Sequence, residues 1–112
     1  MNYQHKNLAA GRWQELTFFE QMGNIGSEVS RAINWKTKGN AEYSKQAIYR
    51  MLELIDLTID DPRNHTYGRL TELTRAREFL ADFFLFDNEY HFTDQSWKNY
   101  FDAFAFAARK QC

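Results

Sequence analysis

The sequence predicts an all-α protein, an antiparallel up-down-up-down four-helix bundle. Three observations carry this. Apolar residues recur three or four positions apart in four separate blocks, the connections between blocks are short, and no stretch alternates as a half-buried strand would.

The first helix is expected over roughly 15–38, where Phe18, Met22, Ile25, Val29 and Ile33 fall on one stripe. Thr17 and Glu20 have capping-box spacing, and Gly39 is placed to stop the helix. Gly23 and Gly26 each cost about 1 kcal/mol relative to alanine inside a helix. Close approach of a second helix is the expected compensation.

Asn40 caps the second helix, expected over 41–60. Its inward set, Ala47, Ile48, Met51, Leu52, Leu54, Ile55 and Ile59, spreads over about 160° of arc at 100° per residue. Such a stripe needs more than one neighbour. Asp60, Asp61 and Pro62 end this helix, and 63–66 make a polar turn.

The third helix is expected over 67–86, with Leu70, Leu73, Ala76, Phe79, Leu80, Phe83, Phe84 and Phe86 on a face that widens toward its end. The fourth starts at Thr93 as N-cap, with Asp94 at the positive end of the dipole and Phe92 and Trp97 at hydrophobic-staple spacing. Trp97, Phe101, Phe104 and Ala108 form its stripe, with Tyr100 alongside.

A chain of 112 residues fits one domain, here 13–112 behind a flexible arm of 1–12. Its one cysteine, Cys112, forms no intramolecular disulfide, which suits a reducing cytoplasm. No run approaches the ~20 apolar residues of a membrane span, and the first residues lack a signal-peptide core. A soluble cytoplasmic protein without a membrane partner is expected.

Net charge is −1, so no overall field draws the domain to nucleic acid. The charges nevertheless come in blocks: +4 over 31–50, −4 over 51–62, +3 over 63–77 and −5 over 78–94. An antiparallel hairpin of the second and third helices lets these blocks neutralise one another, at about 0–1 kcal/mol per exposed pair. The alternative is a nucleic-acid patch of Arg31, Lys36, Lys38, Lys45 and Arg50, with Trp35 and Tyr49 among them to stack bases.

Catalytic signatures are sparse. The chain lacks Glu-x-x-His, paired Cys-x-x-Cys, the Gly-x-x-x-x-Gly-Lys phosphate loop and the Gly-x-Ser-x-Gly elbow, so neither a metal site nor a cofactor is expected. His5, His65 and His91 lie in the arm or in loops. Arg63, Asn64 and His65 form one polar cluster. It resembles the Arg, polar residue and histidine of HEPN-type helical ribonucleases, and the resemblance implies a degenerate ribonuclease using Arg63 and His65. The sequence departs from that pattern, because His65 follows Arg63 too closely. The segments GSEVSRAINWKTKGN, LELIDLTIDD and DNEYHFTDQSWKNYFDAFAFAARK are similar to those of a group of small prokaryotic all-α proteins. That similarity implies a self-contained bacterial or archaeal domain and supplies no activity.

Between Phe79 and Phe106, eleven of twenty-eight residues are aromatic, more ring surface than one helical face hides. Phe106 points about 180° from Trp97, and Trp35 lies off its stripe by roughly 100°. Unaccommodated rings favour interfaces. The expected function is therefore non-enzymatic: an accessory or interaction protein, a homodimer or the partner of another protein, with Trp35, Phe84, Leu85, Phe86 and Phe106 as contact residues.

Overall fold

A computed structural model of the chain describes residues 11–110. A 3-10 turn, Arg12–Glu15, precedes α1 (Phe18–Thr37) and α2 (Ala41–Asp60). A second 3-10 turn, Pro62–Asn64, leads to α3 (Tyr67–Leu85), and α4 (Asp94–Lys110) completes the fold. The described residues contain four α-helices and no strand, an arrangement compatible with a helical bundle. No described helix is long and apolar enough to cross a membrane. His5, Cys112 and nearly all of the expected arm lie outside the described residues.

The caps form where the sequence places them. Thr17 Oγ1 accepts from the Glu20 amide at 3.1 Å, and Glu20 Oε1 accepts from the Thr17 amide at 2.9 Å. This box moves the start of α1 from the expected residue 15 to Phe18. Leu16 is extended, so the segment before it is a separate turn. Asn40 accepts from the Tyr43 amide at 3.0 Å, and Gly39 takes the left-handed φ of 79° that a glycine stop uses. At α4, Thr93 Oγ1 accepts from the Ser96 amide at 3.0 Å while Ser96 Oγ accepts from the Thr93 amide at 2.9 Å. Phe92 and Trp97 stack at 4.6 Å between centroids, which is the expected staple.

The core runs through α1 and α2 and takes Leu73, Leu80, Trp97 and Phe101 from the later helices. α1 packs against both α2 and α4, and α3 lies against α2. Gly26 explains how α4 sits so close: a Cβ there would stand 2.6 Å from Phe101 Cβ. Gly23 is different, since its Cβ would meet only Ala105 Cα at 3.9 Å. Between α3 and α4 the backbones approach less closely, and the helices meet through rings: Phe79 on Phe92 at 5.4 Å and Phe83 on Trp97 at 6.4 Å.

A residue absent from the expected core anchors one end. Trp13, in the first 3-10 turn, is 2 % exposed, and its indole N–H donates to Thr58 Oγ1 at 2.9 Å. The Thr58 hydroxyl in turn donates to Leu54 O at 2.8 Å. Around this pair, Gln21 Nε2 donates to Trp13 O at 3.0 Å and Asp61 Oδ2 at 2.9 Å, and Asn64 Nδ2 donates to Gln21 Oε1 at 3.1 Å. Buried polar groups cost little only when satisfied, and this network ties α1, α2 and both 3-10 turns into one unit.

Candidate interaction surface and aromatic cleft

The polar cluster at the second turn is occupied by that network. Arg63 wraps Asp61, donating to Oδ1 and Oδ2 from Nε and to Oδ2 from Nη2 at 2.7 Å, and it also donates to Leu16 O at 2.7 Å. Asp61 is 1 % exposed. The Arg63 guanidinium outweighs that burial and holds its carboxyl at about 2, below the ordinary 3.8. Asn64 is buried, and His65 Nε2 lies 2.6 Å from Ile59 O. Three side chains that read as a reactive cluster are thus a clamp between the ends of α2 and the entry to α1.

The five basic residues of 31–50 divide. Arg31 Nη1 and Arg50 Nε both reach Glu28, at 2.7 and 3.2 Å, and Glu28 is 5 % exposed. A buried carboxylate of α1, rather than the acidic end of α3, therefore neutralises these two. Lys36, Lys38 and Lys45 form no ion pair among the described residues. Their ammonium groups sit over rings instead, Lys36 over Phe83 at 5.6 Å, Lys38 over Trp35 at 5.1 Å and Lys45 over Tyr49 at 5.7 Å. Between the second and third helices one ion pair forms among the described residues, where Arg77 of α3 meets Asp56 of α2 at 2.7 Å.

Two of the contact residues share a groove with two of these lysines. Lys36, Gly39, Ala41, Ser44, Lys45, Ile48, Phe84 and Leu85 line a volume of about 330 Å³. Phe84 is half-buried against the core, whereas Leu85 is 44 % and Phe86 73 % exposed. Phe86 lines a neighbouring hollow with Arg77, Glu78, Asp82, Glu89 and Tyr90. The loop that carries it is braced: Asn88, at a φ of 52°, donates to Phe92 O at 2.8 Å and accepts from the Phe92 amide at 3.0 Å. Trp35 is half-buried, edge-on to Tyr43 at 4.9 Å. Phe106, 54 % exposed on α4, has Lys110 over its ring at 5.1 Å and lines neither hollow.

A larger cleft opens between α3 and α4. Tyr67, Gly68, Thr71, Glu72, Arg75, Ala76 and Phe79 from α3 face Phe92, Ser96, Trp97 and Tyr100 across about 600 Å³. Tyr100 donates to Glu72 Oε1 at 2.9 Å, and burial together with that carboxylate pushes the phenol well above its ordinary value, so it remains a donor. The indole N–H of buried Trp97 has no hydrogen-bond partner among the described residues. The sequence places Phe79 and Trp97 on core stripes, Tyr100 alongside and Phe92 in the α4 staple, and it signals the cleft only through the excess of aromatic surface on the two helices.

The chain matches no family model, no curated protein and no solved structure.

Proposed function

We propose that this protein works by binding rather than catalysis, and that it is a homodimer built on the end formed by the α1–α2 turn and the close of α3. The observation that carries the reading is Phe86, 73 % exposed on a braced loop beside a groove of about 330 Å³. A second copy is the occupant favoured by charge. Phe86 stands among Glu78, Asp82 and Glu89, and the groove carries Lys36 and Lys45. A two-fold arrangement lets each copy seat its Phe86 in the groove of the other and set its acidic rim against the partner's lysines. Phe84 and Leu85 form the apolar wall.

The up-down-up-down topology belongs to the same reading. It is supported by pairs that run in opposite order along α1 and along α2 with the turn that follows it: Ser44 with Ala32, Arg50 with Glu28, Asn64 with Gln21.

Sedimentation equilibrium tests the dimer. A monomer–dimer equilibrium is expected, and Phe86→Lys is expected to weaken it by about 30-fold or more, the scale of a buried aromatic anchor. Lys45→Glu also weakens it, and adding Asp82→Lys restores part of the loss. A wild-type chain that stays monomeric at every concentration refutes the proposal.

A further inference from the structure

We infer that the outer face of the α1–α2 pair binds single-stranded nucleic acid, without regard to base sequence. Two stripes meet on that face. Arg31, Trp35 and Lys38 recur at i, i+4 and i+7 along α1 and its C-cap, and Tyr43, Gln46 and Arg50 recur at i, i+3 and i+7 along α2, so each set shares one helical face. The stripes are joined at two points. Trp35 packs edge-on against Tyr43 at 4.9 Å, and Glu28 accepts from Arg31 Nη1 at 2.7 Å and from Arg50 Nε at 3.2 Å. None of these residues lines the Lys36–Lys45 groove.

Charge and rings together decide the ligand's chemistry. Glu28 is 5 % exposed, so it steadies both guanidinium groups from beneath and presents almost nothing of its own to a ligand. One carboxylate does not neutralise two arginines. Each guanidinium has five N–H donors in a planar fork, and Arg31, whose side chain is 59 % exposed, gives Glu28 only Nη1. Lys38 forms no ion pair among the described residues, and its ammonium sits 5.1 Å from the Trp35 ring. From residue 29 to residue 52 five basic side chains stand against a single acid, Glu42. Cations with spare donors fit phosphates, and Tyr43, 49 % exposed, places a ring among them. A strand that alternates phosphates with unpaired bases uses both, because every base has a face to stack whatever its identity. A duplex hides those faces.

The test titrates the full-length protein into a fluorescently labelled oligouridylate of about twelve nucleotides, a length within the usual single-strand site size, and reads anisotropy from low to physiological salt. An abasic phosphodiester chain of the same length and the corresponding duplex run in parallel. Saturable binding of the oligouridylate is expected, with a log–log salt slope near −2, since three cations contribute about 0.7 each on a single strand. Lys38→Gln is expected to weaken binding and reduce that slope by about 0.7. Tyr43→Ala is expected to weaken it at least about fivefold, the low end of base–aromatic stacking, while Tyr43→Phe keeps the ring and the affinity. Lys110→Glu on α4 changes the net charge by more than Lys38→Gln and is expected to bind as the wild type does. The inference is overturned if the oligouridylate does not bind saturably at low salt, if the abasic chain or the duplex binds as tightly, or if Lys110→Glu weakens binding as much as Lys38→Gln. Sedimentation of the protein alone reads the dimer, so failure of either proposal leaves the other standing.

Discussion

Two glycines three residues apart on α1 are expected to respond to alanine with opposite signs. At Gly26 the new Cβ would lie 2.6 Å from Phe101 Cβ and 2.9 Å from its Cγ, well inside contact distance. These atoms sit next to the α4 backbone, so no rotamer change moves the first of them away. Relief requires α4 to shift, and overpacking of this kind costs about 1–3 kcal/mol. Replacing a helical glycine returns about 1 kcal/mol, leaving a net loss of up to about 2 kcal/mol. For a domain of this size, with unfolding entropy near 2.1 cal/mol/K per residue, that lowers the thermal midpoint by up to about 9 °C. At Gly23 the nearest atom is Ala105 Cα at 3.9 Å, an ordinary contact. Gly23→Ala keeps the propensity gain and melts up to about 4 °C higher. Trimming Phe101 to leucine leaves the 2.6 Å contact in place, so the Gly26→Ala, Phe101→Leu double variant carries both penalties. Calorimetry on the set decides the matter: a Gly26→Ala protein that melts at or above the wild type refutes the claim that this glycine exists to admit α4.

Asp61 contributes acid-dependent stability. Its folded value of about 2 lies below the ordinary 3.8, so the stabilisation is complete above about pH 4 and is lost as pH falls through about 2, some 2 kcal/mol in all; urea unfolding at pH 5 and pH 2 measures it, and Asp61→Asn removes that part of the acid slope. Glu28→Gln leaves Arg31 and Arg50 without their shared carboxylate, and a loss of about 1–3 kcal/mol in denaturant unfolding is expected. A loss under 0.5 kcal/mol would mean the pair is solvated. His91 holds a φ of 58°, so His91→Gly is expected to raise stability by up to about 1 kcal/mol, whereas Asn88→Ala removes two bonds to Phe92 and lowers it by about 1–2 kcal/mol.

Local rules made the helices legible. Thr17, Asn40, Thr93 and Gly39 act through bonds to residues a few positions away, and so their roles could be read from spacing alone. Gly26 was readable as a close approach but not as a contact with Phe101, because that pairing spans seventy-five positions and depends on how α4 lies. Trp13 was lost for the opposite reason: a lone tryptophan outside any periodic stripe gives no pattern, and its partner Thr58 reads as an ordinary polar residue on α2. Arg63 and His65 looked chemical because an exposed turn is the default for such residues. The bonds to Asp61 and Ile59 are local, but the one from Arg63 to Leu16 arises only once the end of α2 meets the entry to α1.

The aromatic surplus between Phe79 and Phe106 shows the division most clearly. The sequence by itself determined four helices, their caps, most of the buried stripes and the presence of more ring surface than one core face takes. Only the tertiary structure decided where the surplus goes, because that depends on the spacing between helices. Gly26 draws α4 onto α1, the α3 and α4 backbones stay apart, and the rings between them line a cleft, while Phe86 is left outside at the end of α3.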